Sequence, residues 1–260
     1  MAREIFAQLP HESIVYFGDT AHVPYGGRTR QELIAFADVI SSFLVGLGVK
    51  LIIDACNSTS SVALDYLKAK YTVPFVGVVE PGVRAALRCT RNGRIGVIAT
   101  EATVASAAHA RLAAGLAPGV QVIAQACPLL VPLAERGAVD GPEAAAALKE
   151  YLAPLQEHAI DTLILGCTHY PFFSRLIREI LGPEVALVDP ARETVREVAR
   201  LLVLRGLEAP PGAAVRHRYY VSGDPEAFRE NAARLLGQPL PEVQRVVLAE
   251  APPWASAGQG

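Results

Sequence analysis

The chain has 260 residues, 51% of them hydrophobic, with a formal charge of -2. That apolar content supports a large core in one or two domains, and the near-neutral balance, with no basic cluster, excludes an electrostatic footprint for nucleic acid. No apolar run approaches the ~20 residues of a membrane span, Met1-Ala2-Arg3-Glu4 does not open a signal peptide, and four cysteines without C-x-x-C spacing argue against a disulfide scaffold or zinc site and for a reduced, cytoplasmic protein.

Short Val- and Ile-rich runs alternate with longer amphipathic stretches, the pattern of βαβ units and parallel sheet. A first strand is predicted at 13–17. The polar, Pro- and Gly-rich loop 18–28 follows; it suits either a cleft cover or an ordinary connection. Then come a helix at 30–47, a strand at 50–55, a helix at 60–70, a strand at 74–79 and a helix at 81–89. The middle of the chain reads as strand 94–98, helix 104–116, strand 120–124, helix 142–158, strand 162–165 and helix 170–181. The rest reads as strand 186–188, helix 192–204, strand 217–221, helix 225–236 and strand 244–248. Gly96 falls inside a strand, and Gly166 and Gly223 follow strand ends, where close backbone approach or a sharp turn is useful. Only the tail 251–260 reads as disordered. Lysines are few (Lys50, Lys68, Lys70, Lys149) and none ends an apolar strand, so no Schiff base to pyridoxal phosphate is expected. Neither a cofactor nor a metal is predicted.

Two of these strands are matched. One runs Leu51-Ile52-Ile53-Asp54-Ala55-Cys56-Asn57-Ser58-Thr59, the other Thr162-Leu163-Ile164-Leu165-Gly166-Cys167-Thr168-His169. Each precedes a helix-length stretch and a second apolar run ending in an acid and a proline, Glu80-Pro81 in one and Asp189-Pro190 in the other. Two related halves predict two pseudo-symmetric, doubly wound parallel-sheet α/β domains, residues 1–82 plus 191–260 and residues 83–190. The helices at 81–89 and 192–204 would cross between them. Ligands of open α/β sheets bind beyond the strand carboxyl ends, so both cysteines should overlook one cleft with the active site in it.

Each residue also has a plainer reading. A strand-end cysteine is more often a small buried hydrophobe than a catalyst, and Ser58 and Ser60 sit where helix N-caps belong. Against that, a helix N-terminus presents free amides and partial positive charge. That setting lowers a thiol's pKa from ~8.5 and holds carboxylates. His169, two residues beyond Cys167, either caps a helix or exchanges protons with the thiol. Thr100 and Thr103, after the strand at 94–98, suit an anion or a cap. Cys89 and Cys127 read as structural, and Glu135 as a solvated helix-end acid.

The segments YFGDTAHVPYG (16–26), ACNST (55–59), CPLLVPLAE (127–135), LGCTHYPF (165–172) and VSGDPEAF (221–228) together resemble the glutamate racemases of the cofactor-independent aspartate/glutamate racemase superfamily, over nearly the whole chain. The resemblance implies two α/β domains, interconversion of L- and D-glutamate with Cys56 and Cys167 as the two bases, and supply of D-glutamate for peptidoglycan. It implies that Tyr25, Gly26, Asn57, Ser58 and Thr168 hold the amino acid's polar groups, helped by Thr100 and Thr103. It also implies that His169 and Glu135 assist Cys167, and that the protein is a homodimer. Alternatives are a racemase of aspartate or a related acid, or a catalytically impaired racemase-like binding protein.

Two departures stand out. Members of this family begin with an apolar strand running into an Asp-Ser-Gly-x-Gly-Gly turn, placed before a segment like 3–10; its Asp assists the first cysteine. Nothing in the sequence supports Asp19 or Asp54 in that role. Lack of this interior strand should leave neighbouring backbone groups unpaired and a void under the helices, so the expectation is an N-terminally shortened chain that gains activity and melting temperature when upstream residues are restored. Ser58 stands where the family usually has Thr, which keeps the hydroxyl.

Overall fold

The computed structural model describes residues 1–237 and 239–248. In chain order the first elements are α1 (Ala2–Gln8), β1 (Val15–Gly18), α2 (Arg30–Gly46), β2 (Ile52–Asp54), α3 (Asn57–Val62), α4 (Leu64–Lys70), β3 (Phe75–Gly77) and α5 (Val79–Cys89). Next come β4 (Arg94–Ala99), α6 (Glu101–Ala105), α7 (Ala108–Leu116), β5 (Gln121–Ala126), α8 (Leu130–Glu135), α9 (Pro142–Glu157) and β6 (Thr162–Gly166). The chain continues with the 3₁₀ turn Tyr170–Phe173, α10 (Ser174–Leu181), β7 (Ala186–Val188), α11 (Pro190–Arg205), β8 (Arg218–Val221), α12 (Pro225–Leu236) and β9 (Val243–Arg245).

The alternation of strand and helix forces crossover connections, and every strand pair is parallel. One four-stranded sheet has the order β5-β4-β6-β7; elsewhere the strands form β1-β8-β9 and the pair β2-β3. Helices cover both faces of the four-stranded sheet, so β6 is buried along its whole length and β4 from Ile95 to Ala99. This is the α/β architecture of two parallel-sheet domains with a cleft between them. Gly96 lets Ile160 and Leu163 pack onto β4: a Cβ there would meet Ile160 Cδ1 at 2.6 Å.

The two acid–proline ends meet. Gly82, just past Glu80-Pro81, packs on Pro190; a Cβ there would lie 3.1 Å from Pro190 Cγ. Helices α5 and α11 run together from this point, joined by an Arg88–Glu193 ion pair at 2.6 Å.

Three expected helices prove to be interrupted. The stretch 60–70 breaks at Ala63 and starts earlier, directly after Cys56. The stretch 104–116 breaks at Ala107, where φ is +50, and 170–181 opens with the 3₁₀ turn. Helices α1 and α8 have no strong sequence signal: α1 is seven residues long with no side-chain cap bond, and Pro132 falls within the six residues of α8. The tail 251–260 lies outside the described residues.

Among the described residues, β1 pairs only with β8, and β2 only with β3. Their other edges line one cavity of roughly 1040 Å³, together with Met1, Ile5 and Leu9 near the start and Val198 and Leu202 of α11. This apolar notch in the sheet opens directly into the cleft that holds both strand-end cysteines.

Candidate active site

Cys56 and Cys167 occupy equivalent places. Cys56 lies just past β2, at the N-cap position of α3; Cys167 follows β6 and precedes the 3₁₀ turn. Both line the same cavity, and a charge on Cys167 is felt at Cys56. Gly166 lets β6 reach this point: a Cβ there would lie 2.8 Å from the Ile98 carbonyl oxygen.

The Cys167 side carries a hydrogen-bonded relay. His169 Nδ1 is 3.8 Å from Cys167 Sγ and 3.4 Å from Thr168 Oγ1, and Nε2 is 2.6 Å from Glu135 Oε1. Burial by itself would lower the pKa of His169; its bonds to Cys167 and Glu135 outweigh that and raise it to about 9. The same contact with His169 holds the Glu135 carboxyl below its ordinary range. Glu135, read from sequence as a solvated helix-end acid, is therefore tied into the site, although half its side-chain surface faces water.

The Cys56 side differs. The helix N-terminus was expected to depress the thiol's pKa, but burial, then the nearby Asp54 charge, push it up to about 11. Desolvation outweighs the short helix here because a thiolate loses its water in the enclosed cleft. Ser58 and Ser60 are not the caps expected. Ser58 Oγ instead lies 2.9 Å from Thr100 Oγ1, and Ser60 Oγ accepts from the Val78 amide at 3.0 Å.

The loop between β1 and α2 folds over the cleft. Asp19 anchors it: Tyr25 donates its hydroxyl to Oδ2 at 2.5 Å, Ser222 donates to Oδ1 at 2.6 Å, and His22 Nδ1 sits 2.7 Å from Oδ1. Tyr25 and His22 also stack on Phe36. Burial, then the Asp19 charge, keep the Tyr25 phenol protonated far above its usual range. The Gly26 carbonyl accepts from the Ala102 amide at 3.0 Å, and the bare Gly26 Cα packs on Thr100, where a Cβ would come within 3.2 Å of Thr100 Cβ.

The structure brings ten of the sequence-identified residues to the cavity wall: Cys56, Cys167, His169, Glu135, Tyr25, Gly26, Asn57, Ser58, Thr100 and Thr168. Thr103 is the exception. It stands behind Thr100, 3.0 Å from its hydroxyl, so it positions Thr100 rather than facing the cleft. Asn57 is buried, and its Oδ1 has no hydrogen-bond partner among the described residues. Cys127 is fully buried, with burial raising its thiol, as its structural reading requires, yet it also touches the cavity. Cys89 is exposed and belongs to no core. Asp54 and Thr59 gained no support from sequence; an acid ending an otherwise apolar strand was the signal that could have singled out Asp54. Among the described residues no group of three His, Cys, Asp or Glu side chains converges as metal ligands.

Two parallel-sheet α/β domains thus carry a pair of strand-end thiols on the walls of one cleft. The Asp/Glu/Hydantoin racemase family model matches residues 1–198. The chain belongs to that family, and it is an amino-acid racemase. It is 48% identical over 254 residues to the glutamate racemase of Desulforudis audaxviator, covering 95% of this chain and 93% of that protein. Among solved structures, a glutamate racemase isoform of Bacillus anthracis superimposes with TM-score 0.91 at 35% identity, covering 95% of this chain and 93% of that one. The Francisella tularensis glutamate racemase, solved with D-glutamate, gives TM-score 0.87 at 34% identity, covering 94% and 91%.

Proposed function

We propose that the protein interconverts L- and D-glutamate by a two-thiol mechanism without a cofactor. The observation that carries this is the placing of Cys56 and Cys167, from matched strand ends, on the walls of one cavity. The likeness to glutamate racemases along nearly the whole chain supports glutamate as the substrate.

In this reading one sulfur, as thiolate, removes the α-proton from one face, and the opposite thiol delivers a proton to the other. The reverse reaction exchanges their roles. His169, backed by Glu135, gives and takes protons at Cys167. The α-hydrogen is weakly acidic, so charge developing in the transition state needs fixed donors and a dry site. Ser58, Thr100 and Thr168 supply hydroxyls, and Asn57 its amide; Tyr25 and Gly26 close the cleft from the β1–α2 loop. Thr103 acts through Thr100. The domain division at 1–82 plus 191–260 and 83–190 belongs to this reading, as do a homodimer, a cytoplasmic location, the absence of a nucleic-acid partner and the supply of D-glutamate for peptidoglycan. Among the described residues, no helix is long and apolar enough to cross a membrane.

The test is solvent exchange. In heavy water, without pyridoxal phosphate, each glutamate enantiomer should take up deuterium at the α-carbon as it racemises, and Cys56→Ala or Cys167→Ala should abolish racemisation. Racemisation surviving either change sinks the mechanism; exchange with aspartate but not glutamate sinks the substrate.

A further inference from the structure

The relay that serves Cys167 ends on a weakly seated residue. Glu135 is the last residue of α8, a helix of six residues with Pro132 inside it and no side-chain cap bond. Half of its side-chain surface faces water. A glutamate so placed loses rotamer freedom when it is held in one direction, and a helix this short is marginal by itself. Its 2.6 Å contact with His169 therefore calls for a further support at the end of α8.

That support comes from α12, on the other half of the molecule. Phe228, Ala232 and Leu236, spaced four apart, seat one face of α12 on the core around Tyr219, Val221 and Val243. Phe228 also packs on Tyr16 of β1, with ring centroids 5.6 Å apart. Arg234 stands off that face and crosses to α8. Its Nη2 donates to the Glu135 carbonyl oxygen at 3.5 Å and to Asn231 Oδ1, one turn back on α12, at 3.0 Å. The guanidinium also lies against Gly137, whose φ is +74; a Cβ there would come within 2.7 Å of Arg234 Nη1. The last carbonyls of a helix lack partners within it, and a cation beside them is favourable. Arg136, the nearest cation in the sequence, is turned instead to Glu143, at 3.2 Å.

We propose that Arg234 is a positioning residue of the Cys167 relay: reaching across from α12, it fixes the end of α8 so that the Glu135 carboxylate faces His169. The proposal rests on the two-thiol reading above. Arg234 does not line the cavity, so it acts through Glu135. Its charge works in the same direction. The Glu135 carboxyl is held below its ordinary range first by its bond from His169; burial opposes this, and the charges of His169 and then Arg234 add to the lowering. An ionised carboxylate is the form that orients an imidazole and stabilises its cation. Because α8 packs on the core of β6 and α12 on that of β8, the contact depends on how closely the two halves stand. At 3.5 Å it is long, and contacts that serve catalysis often tighten once substrate is bound.

The role is one-sided, and the test uses that. In heavy water, Cys56→Ala should retain α-exchange of the single glutamate enantiomer that Cys167 deprotonates, and Cys167→Ala that of the other. Adding Arg234→Gln should slow the Cys167-driven exchange about three- to tenfold, the contribution of one hydrogen bond, and leave the Cys56-driven exchange nearly unchanged. The ratio of the two rates is the readout, because a general loosening of the fold would slow both. Arg234 is exposed, so the variant should fold. In the otherwise native chain, Arg234→Gln should lower the racemisation kcat, but once Glu135→Ala is in place it should add less than about twofold, since no carboxylate remains to position. An unchanged exchange ratio, or an undiminished effect of Arg234→Gln without the Glu135 side chain, overturns the role of Arg234. Absence of α-exchange of glutamate by the native chain instead overturns the two-thiol reading itself.

Discussion

Ser58 Oγ and Thr100 Oγ1 lie 2.9 Å apart, and Thr100 Oγ1 is 3.0 Å from Thr103 Oγ1. Ser58 belongs to α3, beside Cys56; Thr100 directly follows β4, in the sheet that leads to Cys167. A buried chain of hydroxyls thus joins the two halves under the cleft. Thr100→Val keeps the shape but leaves Ser58 and Thr103 each short of a partner. It should lower stability by about 1–3 kcal/mol, seen as a reduced denaturation midpoint, with a weakened KM for glutamate. Unchanged stability would show that the hydroxyls find other partners.

The His169–Glu135 contact has a definite pH signature. The folded-state pKa of His169 is raised to about 9 from an ordinary value near 6.5. Its contribution to stability is therefore full below about 6.5 and disappears as pH rises through about 9. Glu135, whose pKa is lowered, contributes above its ordinary value and loses that contribution as pH falls through the depressed one. Glu135→Gln should bring the His169 titration, followed by imidazole NMR, down toward the ordinary value. It should also flatten stability between neutral and alkaline pH. His169→Asn should reduce kcat by about 10²–10⁴.

Tyr25 reaches Asp19 through a single hydroxyl, and Asp19 also holds Ser222 and His22. Tyr25→Phe leaves the ring on Phe36 but removes the donor from Asp19 Oδ2. We expect a loss of about 1 kcal/mol in stability, and a KM increase that exceeds any fall in kcat, because the loop closes less often over substrate. A fall confined to kcat would instead place the phenol in the chemical step.

The unpaired edges of β1 and β2 predict uneven protection. Amides of β4 and β6, paired on both sides, should exchange slowest, and those of Val15–Gly18 and Ile52–Asp54 much faster. Slow exchange at β1 and β2 would count against open edges there.

Much of the fold was legible in the residues themselves. Runs such as Thr162-Leu163-Ile164-Leu165 fix a buried parallel strand, because only crossover helices can cover both its faces, and the repeated cysteine and acid–proline signals announced two halves. Breaks at Ala63 and Ala107 were not legible, since neither residue carries a turn signal and the kinks answer to packing between helices. Only the tertiary structure could bring Glu135 to His169, past the ends of β5 and β6 in one sheet, and Ser58 to Thr100, where the two halves face each other. It also decided that Ser58 and Ser60 serve the packing around the cleft rather than the helix start, and that Cys56 sits in a site where burial outweighs the helix N-terminus. The sequence determines which groups exist and on which strand ends they stand; the meeting of the two halves determines which are desolvated together, and hence their chemistry.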